Sequence, residues 1–440
     1  MPGRRAASTL VVAAVLACPL QAQSQPHIQT HLRDRIRELF SFGSCGQPLC
    51  LDGSVSAANG HGQHFLPDLI ASNFAIIGFL TDAIGVNASN LPLSASSSGQ
   101  TFKFVGGLPV KTSASLGPVY GERAQTVGRG RFVVGANLTG VSFSSLRGVP
   151  LEKLVLNFTH DDVDGVGRPG LGDPEKENDI LQVRLDLGVK LLVSTVFATY
   201  GLNDGLDLSI AVPLVRTSLT GRSVAQIYPF GGPTSVHFFT GTPEDPGLIA
   251  NAATFGSATS VGDIALRLKA NVRSDERLGV ALMADARLPT GSEEDFTGAG
   301  HLALRGLAIA SGRFGDFSPH LNVGYMLRTG EGRKDALLAT AGFDQPVAAW
   351  ATMAVEVLSE WEMGASALEL PEPVMLIYPF VRTVEPTNIP DMKDHRMSGS
   401  FGFKFRTPGG PILVTNALVP LRRGGLQSNF VWTIGLDMNF

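Results

Sequence analysis

Beyond its first two dozen residues the sequence holds no apolar run long enough to cross a membrane as a helix, which takes about 20 predominantly apolar residues. The best internal candidate, Leu69 to Leu80, is interrupted by Ser72 and Asn73 and bounded by Asp68 and Asp82. Charge is scarce as well. Only 17% of the 440 residues are charged, whereas 44% are hydrophobic, so the apolar content is spread thinly along the chain. The net charge of -4 argues against a nucleic-acid partner, which requires a basic footprint. Cysteine is limited to Cys18, Cys45 and Cys50. Glycine, by contrast, is abundant at 51 residues, above the usual share of about 7%, as suits a chain with many turns and strand kinks.

The N-terminus reads as a secretion signal over residues 1–22. Arg4 and Arg5 supply the charged start, Leu10 to Ala17 a short apolar core, and Leu20-Gln21-Ala22 a cleavage site; lipid attachment at Cys18 is the alternative. In an exported chain Cys45 and Cys50 are expected to form a disulfide, with metal binding beside His61 and His64 as the competing reading. Residues 23–100 form an N-terminal segment of helices and linker. Leu32, Ile36, Leu39 and Phe40 fall at helical spacing, and Phe65 to Val86 is apolar nearly all round. A helix apolar on every side is normally buried, so this segment is expected to plug a barrel, or else to form a small periplasmic subdomain. Ser-rich residues 89–100 read as its linker.

From residue 101 onward the pattern changes to period two. Phe430, Trp432, Ile434, Leu436, Met438 and Phe440 alternate with Thr433, Gly435, Asp437 and Asn439, the mark of a strand with one apolar face. The same alternation runs through Leu181 to Val193, Leu206 to Leu214, Ile264 to Val272 and Leu278 to Leu288. These strands exceed the usual five or six residues. Short turns at Asn203, Ser274 and Thr407 alternate with long loops at 163–178, 223–260 and 363–395, and aromatic Tyr200, Phe314, Phe317 and Phe440 sit at the short-turn ends. Both features fit outer-membrane barrels. The expected fold is therefore all-β, an antiparallel transmembrane β-barrel of about fourteen strands over residues 101–440, counting 114–125 and 151–163 among them, with a partly helical N-terminal plug. The apolar faces should meet lipid. Arg184, Lys190, Arg267, Lys269, Arg287 and Lys404 should then line the lumen, in a solvated, salt-bridged wall or, for Arg267 and Lys269, as holders of a ligand carboxylate.

Ser115-Leu116-Gly117-Pro118-Val119-Tyr120-Gly121-Glu122-Arg123-Ala124, the stretch Thr126 to Phe132, Tyr200 to Leu208 with Val212-Pro213, Val261-Gly262-Asp263-Ile264 and Leu288-Pro289-Thr290-Gly291 resemble the outer-membrane transporter-like family associated with phenol meta-pathway degradation, which is related to the long-chain fatty-acid transporters. The resemblance covers roughly residues 100–440. It implies a plugged barrel that passes hydrophobic molecules, with outer-membrane lipids, the barrel assembly machinery and a hydrophobic small molecule as partners. The Asn-Pro-Ala motif of the fatty-acid transporters is absent. Glu122, Arg123, Arg129 and Arg131 are expected to join plug and wall in an ion network.

No catalytic role is expected, because His160, His301 and His320 come without a nucleophile motif. Asp161-Asp162-Val163-Asp164-Gly165 lacks the further ligands of a calcium loop and reads as an acidic outer loop; no cofactor or metal is expected. The function expected is a channel or transporter for hydrophobic small molecules, aromatic compounds or fatty acids. The alternative is a non-transporting barrel with a structural or surface-binding role.

Overall fold

The computed structural model describes residues 31–40, 42, 69–89, 102–105, 108–111, 115–159, 179–229, 238–242, 244–275, 277–330, 333–377 and 380–440. The signal segment 1–22, Cys45, Cys50, His61, His64, most of the 89–100 linker and residues 160–178 lie outside them.

Two helices, α1 (Leu32–Glu38) and α2 (Leu69–Ser89), precede the main sheet. Its principal strands are β1 (Phe132–Leu146), β2 (Leu154–Thr159), β3 (Ile180–Asn203), β4 (Leu206–Tyr228), β5 (Ile249–Val261), β6 (Ile264–Ser274), β7 (Leu278–Leu288), β8 (Ala303–Gly312), β9 (Ser318–Arg328), β10 (Ala336–Ala348), β11 (Ala351–Glu362), β12 (Arg396–Arg406), β13 (Ile412–Pro420) and β14 (Leu426–Asn439). Each strand from β6 to β14 pairs antiparallel with the next; β14 pairs with β1, β1 with β3, β3 with β4, and β4 with β6. The sheet is thus a closed cylinder of twelve strands. Closure is sealed at one end by Phe440, whose N–H donates to the Phe132 carbonyl at 2.8 Å and whose carbonyl accepts from the Phe132 N–H at 3.2 Å. A closed cylinder leaves no strand edge to satisfy in lipid.

The count of about fourteen is corrected to twelve, because two of the expected staves lie off the ring. The first, 114–125, is not a strand. Pro118 cannot donate to a ladder and Gly117 takes φ +86°, so the chain runs irregularly. The second, 151–163, yields only β2, which pairs with the far part of β3. β5 is off the ring too, bound to the far part of β4, and Val149–Pro150 adds a short outside strand on β1. The expected loop 223–260 is therefore largely strand.

β3 and β4 are 24 and 23 residues long, twice most of their neighbours. At about 3.4 Å per residue they run to roughly 80 Å, far more than the apolar band of roughly 25 Å on an outer-membrane barrel. Their outward faces change character along their length. Near the short Asn203–Gly205 turn the exposed residues are Leu192, Val196, Tyr200, Leu208, Ile210, Val212 and Leu214. Farther on they are mostly charged, Arg184, Asp186, Lys190, Arg216 and Arg222, with Val224 among them. The apolar belt continues around the cylinder through Leu266, Leu268, Leu282, Leu304, Val323, Leu337, Phe401, Ile434 and Leu436, all exposed. Aromatic Phe132, Tyr200, Phe314, Phe317, Trp350 and Phe440 edge it at the short-turn end, and Tyr325, Trp361 and Phe430 at the other. Short turns mark the periplasmic end and long loops the outer one.

Beyond the belt, β2, β3, β4 and β5 form a four-stranded extension at the outer end. Its inner face carries Leu181, Val183, Leu185, Leu187, Val189, Val215, Leu219 and Ile227, packed in one cluster with Leu32, Ile36, Leu39 and Phe40 of the α1 region and Ile76, Leu80 and Ile84 of α2. Fully burying one such side chain contributes about 1.5–3 kcal/mol, so the α1 contacts alone hold that helix firmly. Arg184 and Lys190 are accordingly corrected: both face outward. The leucines between them have a helix core to cover, and above the hydrocarbon the outer face meets water, so charge there costs nothing.

Candidate functional site: the barrel interior

Inside the periplasmic half of the cylinder the wall is polar. Asp207, Lys269, His320, Asn322, Asp344, Thr352, Glu356, Lys404, Asn416, Thr433 and Asp437 are all buried, although they belong to staves whose other face meets lipid. What they cover is residues 115–130. The Leu116 N–H donates to Thr352 Oγ1 (2.9 Å), the Gly121 N–H to Glu356 Oε1 (2.7 Å), the Glu122 N–H to Asn322 Oδ1 (2.7 Å), the Ala124 N–H to Ser311 Oγ (3.1 Å) and the Val127 N–H to Asp207 Oδ2 (3.0 Å). Tyr120 Oη meets Thr433 Oγ1 at 3.1 Å. These partners come from β4, β8, β9, β11 and β14, on all sides of the cylinder, so the segment crosses the lumen. An irregular backbone must find partners for its buried N–H groups, and here the wall side chains supply them.

Glu122 and Arg123 are fixed by charge. Glu122 accepts from Lys269 Nζ at 3.2 Å and lies 3.4 Å from Arg267 Nη1. Arg123 pairs with Asp344, which also accepts from Ser115 Oγ. His320 Nε2 lies 3.2 Å from Glu356, directly beside Gly121. Arg129 and Arg131 lie farther along the same segment, where it leaves the lumen. The Arg129 side chain is exposed at the periplasmic rim, where its N–H meets Asp204 Oδ1 (3.2 Å), and the Arg131 carbonyl accepts from the Gly201 N–H (3.0 Å). Their role there is to carry the chain from the lumen into β1.

Of the expected lumen residues, Arg267, Lys269, Arg287 and Lys404 do point inward. Arg267 donates to Asp285 (2.8 Å), which also lies 3.3 Å from Arg287 Nε and 3.9 Å from Arg305 Nε. One carboxylate thus serves three guanidinium groups. Lys404 Nζ lies 3.9 Å from Asp437. The unit missed in sequence is Arg328–Glu360–Arg396. Arg396 donates to both Glu360 oxygens at 2.9 Å and to Asn87 Oδ1 of α2 at 2.7 Å, and Arg328 donates to Glu360 as well. Its signal was faint: Arg328 and Arg396 sit at strand ends, where a charge reads equally well as loop.

Above Tyr120 and Glu122 lies a chamber of about 240 Å³. Its lining is mostly apolar, with Val141, Phe143, Met283, Leu307, Met326, Leu338, Leu418 and Val431, and Arg267, Asp285, Arg305 and Asn322 are set among them: Met283 pairs with Leu307 one step from the Asp285–Arg305 pair, and Arg305 pairs with Met326. A second cavity of about 360 Å³ lies beside Phe79, Ala83 and Val86 of α2. The two share Asn87, Glu360, Arg396 and Leu426, so the Arg396 hydrogen bonds form the partition between them. The Ser89 carbonyl at the end of α2 accepts from Arg287. Among the described residues no group of His, Cys, Asp and Glu is arranged to hold a metal.

No family model matches the chain, and no curated protein matches it. Among solved structures it is similar in fold to an outer-membrane channel from Pseudomonas putida F1, at 12% identity over 72% of this chain and 98% of that one, with a TM-score of 0.39. It is similar also to the CymD monoaromatic hydrocarbon channel (9% identity, 71% and 89% covered, TM-score 0.33) and to a Pseudomonas aeruginosa FadL homologue (12%, 70% and 89%, 0.29). At these values the likenesses carry no argument about cargo or mechanism. Closed cylinder, apolar belt and the asymmetry of turns and loops make the chain an outer-membrane β-barrel.

Proposed function

We propose that the protein is an outer-membrane channel for small hydrophobic molecules, aromatic compounds or fatty acids, of the kind its motifs suggest through their resemblance to the phenol meta-pathway family. The observation that carries this reading is the chamber in mid-barrel, lined mostly by apolar side chains, which continues past a thin partition into a cavity at the outer mouth. A polar porin lumen has no use for Phe143, Met283, Leu307 and Met326 facing inward; a hydrophobic solute does. In this reading a solute enters beside α2, displaces the Arg396–Asn87 contact and settles against the apolar wall. The segment 115–130 closes the periplasmic side, Glu122 and Arg123 tether it, and the N-terminal helices of residues 23–100 act as the outer plug. Residues 1–22 direct export, and the assembly machinery inserts residues 101–440 as the barrel. No side chain here takes a catalytic part.

The reading is tested by uptake. Cells lacking the protein are expected to accumulate at least one member of a panel of aromatic and long-chain compounds more slowly, with rescue by the intact gene. Equal uptake across the panel overturns the channel. It would favour the second reading, a non-transporting barrel, which the ion-paired closure of the periplasmic half supports.

A further inference from the structure

The outer surface carries a site of its own. We propose that a phosphate-bearing lipid of the outer leaflet docks on a basic patch made by Lys190, Arg216, Arg422 and Arg423, directly above the hydrocarbon belt. All four side chains are exposed. The height of the patch follows from register. Leu192 and Leu214 are the last outward apolar residues of the belt on β3 and β4. Arg216 is paired directly with Leu192, and Lys190 lies one step farther out on the same face, paired with Ser218 and, on β1, with Ser142. This is the level at which hydrocarbon gives way to headgroups.

Lys190 and Arg216 are diagonal cross-strand neighbours, which brings such side chains to roughly 7–8 Å. Like charges at that spacing repel unless an anion sits between them. Their outward neighbours Gly188, Ser218, Thr220, Leu192 and Ser142 supply no carboxylate. The nearest acid on the face, Asp186, is paired directly with Arg222, and Arg184 donates to Gln182 and Tyr228. None of the four patch side chains has a hydrogen-bond or ion-pair partner among the described residues.

The other two cations, on the β13–β14 connection, line a cleft that adjoins Lys190 through Gly188. This open cleft of about 820 Å³ is lined by Arg422, Arg423, Leu421, Ser144 and Gly188, and Gly188 is one outward step from Lys190. Glu152 and Asp186 also line this cleft, the latter matched by Arg222. The stem of Arg423 lies over Gly148, where a Cβ would come 3.1 Å from its Cδ, so its head is held toward the cleft. Below, Leu192, Val196 and Ile434 offer an apolar surface, and the Trp432 ring lies across Gly140. Guanidinium and ammonium groups over an apolar wall fit an amphiphile whose anionic head accepts several N–H bonds, as phosphate does. An enclosed pocket would suit free phosphate; this open, belt-edge cleft suits a lipid.

The test uses the full-length protein in a non-ionic detergent, titrated with bis-phosphorylated lipid A, its dephosphorylated form and inorganic phosphate, with bound lipid counted by native mass spectrometry. Bis-phosphorylated lipid A is expected to bind at least tenfold more tightly than the dephosphorylated form. Lys190→Gln/Arg216→Gln/Arg422→Gln/Arg423→Gln should abolish that preference, Arg422→Lys/Arg423→Lys should retain part of it, and Arg273→Gln at the periplasmic rim should leave it intact. The proposal is overturned if the quadruple variant, shown folded by its heat-modifiable band, keeps the preference. It is overturned equally if both lipids bind alike, or if inorganic phosphate competes as strongly as the phosphorylated lipid.

Discussion

Gly121 shows how tightly single residues are fitted in the lumen. A Cβ there would lie 2.4 Å from His320 Nε2 and 3.0 Å from Glu356 Oε1, and both of those side chains are fully buried. Overpacking a filled interior costs typically about 1–3 kcal/mol. Gly121→Ala is therefore expected to lower the denaturant midpoint by an amount in that range, while Gly130→Ala, which meets nothing within 4 Å, costs only the strain of its φ of +71°. Arg123 and Asp344 form a second case. Removing one partner of a buried pair leaves an uncompensated charge, at about 3–5 kcal/mol. The double variant Arg123→Met/Asp344→Asn should cost less than the sum of the two single variants, with a coupling of about 0.5–3 kcal/mol; additive effects in a denaturation cycle would mean the pair does not tether the segment. The charges of Glu122 and Arg123 were legible as a network in the sequence because they sit in a Gly-rich stretch. Their partners were not legible, since Asp344, Asn322 and Glu356 lie 200 or more residues away.

At the scale of elements, α1 depends on charge at its start. His31, at the N-cap, meets Asp295 at 3.2 Å and Glu294 at 2.9 Å. The hydrogen bond to Asp295, aided by the nearby carboxylates, raises its pKa above the usual 6.5. A raised folded pKa stabilises docking fully below the unfolded value and loses that contribution as pH rises through the folded one. Hydrogen exchange across Leu32–Glu38 should therefore quicken from pH 6 to pH 8.5 beyond the intrinsic chemical rate, and His31→Gln should remove the extra increment. If the two proteins respond identically, the imidazolium is not what anchors the helix. Of the ring's staves, β3, β4, β6, β7 and β14 were legible from period-two alternation. The direction in which β3 faces was not. Alternation tells which residues share a face, but not what covers that face, and Leu181–Val193 reads the same against lipid or against α1 and α2. The residues that decide it, Leu32, Ile36, Ile76, Leu80 and Ile84, come from a distant part of the chain.

For the molecule as a whole, the consequence is a sharp boundary between hydrocarbon and water partway up one hairpin. Ile210 and Thr220 are on the same outward face of β4, five alternate positions apart. Tryptophan at Ile210 should be strongly quenched by brominated lipid in reconstituted membranes, and tryptophan at Thr220 should not. Equal quenching would move the boundary and place the extension inside the bilayer. The energetic reason is depth-dependent: Arg on the lipid face costs about 2–4 kcal/mol at the midplane and close to none near the interface, so Arg216 and Arg222 can be exposed only where the hydrocarbon has ended.

The luminal segment also fixes an order of events in assembly. Residues 115–130 precede every stave in the chain, yet they hydrogen-bond to side chains on strands as distant as β14. Once β14 has paired with β1, this buried, charge-paired stretch has no route into the interior from the side. The cylinder must therefore be wrapped around it. The final ladder, Leu426–Asn439 against Phe132–Leu146, joins parts of the chain nearly 300 residues apart, and contacts of such long range form slowly. The last strand to be made is the one that locks the first residues of the domain in place.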